Sequence, residues 1–374
     1  MPLKILLYSS VFSPSVGGME MVAETIALNL VQLGHVCVVM TETPDRKETP
    51  RSFPFQVIRS PSLTEKWRWV KWADVVHSKG ASLALYFHAK WENKPFVWTH
   101  AGYQVSCIDG LGWVEGEKAP ISPWASFLFH KKRFGLLKAS MGYAKLLLRR
   151  WCAEHVDSNV AITNWMNERQ PFKNQIIIYN PFPLSRFKEA KRTSYSTYDF
   201  IYVGRLVSEK GVATLLKAFS MLVQDGTHAK LAIVGDGNWR ERLEVLANKL
   251  DIKEKVIFFG RRTGQDLLAV IEEGKIAVVP SEWEEPMGGV ALELLAAGKN
   301  IIVSKRGGLA ECIGDAGLTF QNGDEEELYS KMKQLLTDSL LQKSQLDKAA
   351  AQLAHFDERV LTQKYVELYY SILA

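Results

Sequence analysis

The sequence predicts an α/β protein built on two doubly wound parallel sheets. Short apolar runs alternate with helical patterns along the chain, and this alternation starts afresh after a proline-containing break near residues 180–198. A length of 374 residues also exceeds what one hydrophobic core usually serves.

In the first half, residues 4–8 read as a buried strand, 17–18 as a glycine turn and 19–33 as a helix stopped by Gly34. The valine-rich run 36–40 is short enough for a parallel strand. Runs at 57–58, 74–77, 96–98 and 159–162 continue the rhythm. The segment Asn180-Pro181-Phe182-Pro183 propagates neither a helix nor a central strand, and a basic, polar stretch follows it at 186–196. Strand runs then recur at 200–203, 231–234, 256–259, 276–279 and 301–303. The expected domains are 1–182 and 183–356. The last segment, 357–374, carries Val360, Tyr365, Leu368 and Tyr369 at helical spacing, and it packs within the second half or crosses back to the first.

An apolar fraction of 47% with 23% charged residues belongs to an ordinary globular protein and argues against disorder. Cys37, Cys107, Cys152 and Cys312 are far apart and form no C-x-x-C pair, which disfavours a disulfide framework or a zinc site. No run approaches the roughly 20 apolar residues that span a bilayer, so a cytoplasmic location is expected. The net charge of +5 is mild and gives no nucleic-acid signal. It is unevenly spread. Residues 118–150 contain no Asp or Glu, and Lys131, Lys132, Arg133, Lys138, Lys145, Arg149 and Arg150 mix there with aromatic side chains. Such a segment suits either a peripheral position on an anionic membrane surface or a solvated helix pair.

Ligands of open α/β sheets bind at the carboxyl ends of the strands, so the chemistry is sought in the loops there. Gly17 and Gly18 follow the first strand and open the first helix, where backbone amides can approach an anion; a plain connector would look the same. There is no G-x-G-x-x-G dinucleotide fingerprint. After the first strand of the second half comes G-R-L-V-S-E-K-G, whose Arg205 and Lys210 are two cations suited to a diphosphate. The richest segment is P-S-E-W-E-E-P-M-G-G-V-A-L-E, residues 280–293. Glu285 lies in its loop and Glu293 on the following helix, so the two reach different parts of one extended ligand. A carboxylate accepts two hydroxyl hydrogen bonds, as a sugar or a ribose diol offers.

Taken with G-D-G at Gly235, F-F-G-R ending at Arg261, and Gly307-Gly308 with Glu311, these motifs resemble glycosyltransferase family 4 and its E-x7-E pattern over nearly the whole chain. The resemblance implies the GT-B architecture, two Rossmann-like domains facing across a cleft. It implies transfer from a nucleotide-sugar with retention of anomeric configuration. In that scheme Arg205 and Lys210 neutralise the donor diphosphate, and Gly17 and Gly18 offer amides to it. Glu285 holds hydroxyls of the transferred sugar and Glu293 those of the ribose. Met287, Gly288, Gly289 and Val290 contact sugar and phosphate, the backbone around Gly260 and Arg261 contacts the base, and Gly235 is a further donor-binding position. His100, in W-T-H-A-G, matches a histidine beside the donor sugar, and His77 matches a recurrent structural or acceptor-side position. Met287 stands where an aromatic is usual, which leaves the sugar open.

No D-x-D motif stands at a strand end, so no metal and no cofactor beyond a UDP- or GDP-linked donor is expected. Catalysis then rests on positioning and charge stabilisation. The acceptor, a saccharide or lipid-linked saccharide, falls to the first domain, where Tyr103, Asp109 and Trp113 are candidate contacts. A nucleotide-sugar epimerase shares the two-domain shape but needs further acid–base carboxylates. A non-catalytic binder would not need Arg205, Lys210, Glu285 and Glu293 all intact.

Overall fold

The structure is a computed structural model, and it describes residues 1–14, 17–45, 52–188 and 196–374. The chain folds into two compact units. One holds Met1–Val114, Lys118–Pro183 and Phe356–Ala374; the other holds Glu115–Glu117 and Leu184–His355.

In chain order the first unit begins β1 (Lys4–Ser9), α1 (Gly18–Gln32), β2 (Val36–Thr41), β3 (Gln56–Arg59), α2 (Leu63–Trp72), β4 (Val75–Lys79), α3 (Leu83–Trp91) and β5 (Phe96–His100). Two short strands follow, β6 (Trp113–Val114) and β7 (Glu117–Lys118), then α4 (Pro123–Phe134), α5 (Leu136–Glu154), β8 (Ser158–Ala161), α6 (Asn164–Arg169) and β9 (Gln175–Ile177). The sheet runs β3-β2-β1-β4-β5-β8-β9 and is parallel throughout.

The second unit contains α7 (Ser185–Lys188), β10 (Tyr198–Val203), α8 (Val212–Gln224), β11 (Leu231–Val234), α9 (Arg240–Lys249), β12 (Val256–Gly260), α10 (Gly264–Glu273) and β13 (Gly274–Val279). It continues with α11 (Gly289–Ala296), β14 (Asn300–Ser304), α12 (Leu309–Ile313), β15 (Leu318–Phe320), α13 (Glu325–Thr337) and α14 (Ser339–Ala354). Its parallel sheet runs β12-β11-β10-β13-β14-β15. Successive residues of each strand enter opposite cores. Phe200, Tyr202 and Val278 join α8 and α13 on one face, while Ile201, Ala277 and Val279 join α10 and α11 on the other. Burial on both faces is why these strands read as continuous apolar runs. The chain is thus the expected α/β fold, with two Rossmann-like halves.

The final helix, α15 (Glu358–Leu373), packs on the first unit. Its buried Tyr369 hydroxyl lies 2.7 Å from His77 Nδ1, and Thr99 Oγ1 lies 2.8 Å from His77 Nε2. Both imidazole nitrogens are therefore partnered inside the core, which makes His77 a structural residue. Lys79, buried at the end of β4, donates to Asn180 Oδ1 at 2.8 Å. That bond ties the strand to the segment leading out of the unit. Among the described residues no helix is long and apolar enough to cross a membrane, and all four cysteines are buried and free.

Candidate functional site

Strand order in the second unit reverses between β10 and β13, and a doubly wound sheet opens its ligand crevice at that point. The two loops leaving it are those singled out in the sequence. They are pressed together. Glu282 N and Trp283 N donate to Glu209 O at 3.0 and 3.4 Å. Gly211 makes this approach possible: its φ is +65°, and a Cβ there would stand 1.9 Å from Pro280 O.

Their contact sets Lys210 against Glu285. Lys210 Nζ donates to Glu285 Oε1 at 2.8 Å, with the two side chains 17% and 6% exposed. The same carboxylate oxygen accepts from Ser281 Oγ, a partner the sequence reading missed. The Glu285 backbone is fixed by the glycine pair at 307–308. Gly308 N donates to Glu285 O at 2.7 Å, and a Cβ on Gly307 would meet Glu285 N and O at 2.8 Å. Behind the loop, Glu284 pairs with Arg306 at 2.9 Å. The Asn322 side-chain amide bridges Ser281 O and Arg306 O, each at 3.1 Å. A cation and a carboxylate are thus held rigidly at the strand ends.

Most of the other expected donor contacts belong to the same unit. Arg205 is largely exposed, with a guanidinium nitrogen 3.8 Å from Glu209 on its own loop. Glu293, on α11, sits 3.8 Å from Arg186 of α7, a second residue the sequence reading did not anticipate. Burial pushes the Glu293 carboxyl up to about 7, against the opposing pull of Arg186. Met287 and Gly288 are buried, while Gly289 and Val290 are half-buried at the start of α11. The Gly288 amide donates to the Cys312 thiol at 3.3 Å, so in this structure it faces a sulfur. Gly235 follows β11 and Gly260 ends the adjacent β12, and the two are linked by Gly235 N to Gly260 O at 3.0 Å; Arg261 beyond them is exposed. Asn300 ties β14 to α14 by donating from Nδ2 to Gln342 O at 2.8 Å.

In the first unit, Gly17 and Gly18 sit at the start of α1, beyond the carboxyl end of β1. His100 ends β5, stacked between Trp98 and Phe172 at 5.3 Å from each ring, with Nε2 2.8 Å from Asn159 Oδ1. Burial depresses its imidazole to about 4. This is a packed, partnered position, and the geometry gives a catalytic assignment of His100 no support.

Two of the acceptor expectations need correction. Tyr103 is fully buried, and its hydroxyl accepts from Trp165 Nε1 at 3.0 Å. Asp109 Oδ1 accepts the backbone amides of Leu111, Gly112 and Trp113. It shapes its own loop, as a short acidic side chain does at a turn. Trp113 is half-buried in β6.

Among the described residues no group of three or more His, Cys, Asp or Glu is placed to hold a metal ion. Residues 185–353 match the family described as glycosyl transferases group 1. The chain is 40% identical over 113 residues to an uncharacterized glycosyltransferase of Methanocaldococcus jannaschii, covering 30% of this chain and 28% of that protein. It is 30% identical over 197 residues to glycogen synthase of Mycobacterium tuberculosis, covering 50% and 47%. The chain therefore spans less than half the length of these two relatives. In fold it is similar to Anabaena HepE, solved in complex with UDP-glucose. The TM-score is 0.75 at 17% identity, covering 99% of this chain and 100% of that one.

Proposed function

We propose that the protein is a retaining glycosyltransferase that moves a hexose-type sugar from a UDP- or GDP-linked donor to a saccharide or lipid-linked saccharide. The observation that carries this reading is the Lys210–Glu285 pair at the strand-order reversal. An ammonium has three N–H donors, and Glu285 takes one of Lys210's. The others suit the diphosphate, with Arg205 as a second, exposed cation. Glu285, anchored by Ser281 and by the backbone of Gly308, accepts hydroxyl protons of the sugar. Glu293 does the same for the ribose.

In the proposed reaction the bond from the anomeric carbon to the phosphate oxygen breaks, and the acceptor oxygen bonds that carbon on the same face. The acceptor's proton passes to the departing phosphate. The protein contributes orientation and a preorganised positive field rather than a nucleophile, so removing one cation is worth about 3 kcal/mol of barrier. The group 1 match over residues 185–353 supports this reading, as does the fold shared with a protein that binds UDP-glucose.

The test is to incubate the chain with UDP- and GDP-sugars and a lipid or oligosaccharide acceptor extract, following nucleotide release with and without EDTA. Release that persists in EDTA, with a product of unchanged anomeric configuration by NMR, is expected. An inverted product, or activity abolished by EDTA and restored by a divalent ion, would overturn the mechanism.

A further inference from the structure

The first unit carries a helix whose outward side is apolar. In α5, Ala139, Leu146 and Ala153 are buried, and Gly142 lies so close to Ile108 that a Cβ there would stand 2.6 Å from Ile108 Cγ2. On the opposite side Leu136, Leu137, Met141, Leu147, Leu148 and Trp151 are exposed, Leu137 by 76% and Met141 by 67%. At about 100° per residue these six share an arc of roughly 140° facing solvent. Amphipathic helices of globular proteins turn this side inward, and an apolar patch of this extent marks an interaction surface.

The patch continues on both flanks. Trp124 and Leu128 are exposed one turn apart on α4, which packs along α5. Trp151 meets Tyr86 edge-on at 6.2 Å, and on that helix, α3, Phe87 and Trp91 are exposed, Trp91 by 80%. Exposed Lys138 and Lys145 border the leucine arc, and Lys131, Lys132 and Arg133 close α4. No acidic residue occurs between positions 118 and 150. The acidic groups beyond that segment include Glu154 at the end of α5, Asp157, paired with Lys90 at 3.3 Å, and Glu92, which accepts from Trp67 Nε1 at 2.6 Å.

We infer that α5, with the exposed aromatics of α3 and α4, seats this protein in the interfacial layer of an anionic phospholipid bilayer. The helix lies in the membrane plane, its leucines below the headgroups and its lysines on the phosphates. A second copy of the chain fits the same face poorly. A two-fold contact would set the lysines of one copy against those of the other, with no carboxylate in the segment to separate them.

The test is flotation of the full chain with vesicles of phosphatidylcholine alone, or of phosphatidylcholine mixed with phosphatidylglycerol, at low salt. The inference expects flotation with the mixed vesicles and little with phosphatidylcholine. It also expects the Leu137→Ser/Met141→Ser/Leu148→Ser variant and the Lys138→Glu/Lys145→Glu variant each to lose on the order of tenfold in partition. All five side chains are exposed, and circular dichroism melts establish that each variant is folded. Should the leucine variant fail to fold, the charge variant decides alone. Flotation unaffected by both variants would overturn the inference. So would absence of flotation in the wild type, or a concentration-dependent dimer abolished by the leucine variant without vesicle binding.

Discussion

Lys210 and Glu285 come from loops 75 positions apart in the chain, and their side chains meet at 2.8 Å where the strand order of the second sheet reverses. The contact rests on backbone-to-backbone approach through Gly211 and on the glycine pair behind Glu285. It joins the two groups the proposed chemistry needs, a cation for phosphate and a carboxylate for sugar hydroxyls.

Breaking this pair from one side should cost more than removing it whole. Lys210→Met leaves a buried carboxylate with Ser281 as its remaining side-chain partner, at a stability cost of roughly 2–3 kcal/mol. Adding Glu285→Gln removes the unpaired charge, so the double variant should regain part of that loss while staying inactive. Denaturant melts of the wild type, both single variants and the double variant measure the coupling. Strictly additive losses would show that the two groups do not interact in solution.

Gly211→Ala should be among the most damaging small substitutions in the chain. The methyl would overlap Pro280 O at 1.9 Å, and the positive φ penalises any side chain there. A loss of at least about 3 kcal/mol is expected, together with loss of nucleotide binding, read by thermal melting and calorimetry. A variant melting like the wild type would mean that the two loops are not in contact as described.

Acid should weaken the first unit through its buried histidines. Burial lowers His77 well below its ordinary value and His100 to about 4. Between about 6.5 and 4 the unfolded chain binds protons that folded His100 does not. Stability therefore rises with pH across that window and is lost on acidification, by a few kcal/mol at most. Above 6.5 this contribution is constant. His100→Phe keeps the stack on Trp98 and Phe172 and should flatten the acid limb of the melting profile; an unchanged limb would assign it elsewhere.

Burial raises Glu293 to about 7, so donor binding should carry its signature. If Glu293 accepts ribose hydroxyls, affinity for the nucleotide should strengthen as pH rises from 6 to 8 and the carboxyl ionises. Glu293→Gln should bind more weakly at pH 8 and show no such slope. Calorimetric titration with UDP and GDP at both pH values is the check. A slope surviving in the glutamine variant would place the titrating group elsewhere.

The sheets were legible because strands such as β1, β2, β10, β11 and β13 each write a run of four or five apolar residues. Strands β9 and β15 have three residues each, too few for any periodicity to register. Lys210 and Glu285 were legible singly, from their loops after β10 and β13. Their ion pair was not, because contact between non-consecutive strand ends is a tertiary fact. Ser281 and Arg186 were overlooked because a serine in a loop and an arginine on a four-residue helix carry no pattern. Tyr103 and Asp109 misled for the converse reason: polar residues in a glycine-rich loop look available, while burial and local amide bonds had claimed them. The leucines of α5 have the helical spacing of a core face, and only the structure shows that the opposite side is buried.

The most direct test of the central claim is calorimetric titration of UDP and GDP into the wild type and Lys210→Ala in the presence of EDTA. The account predicts that one nucleotide binds the wild type without metal and that the alanine variant loses on the order of a hundredfold in affinity. Equal affinity of the two proteins, with the variant folded, would contradict it.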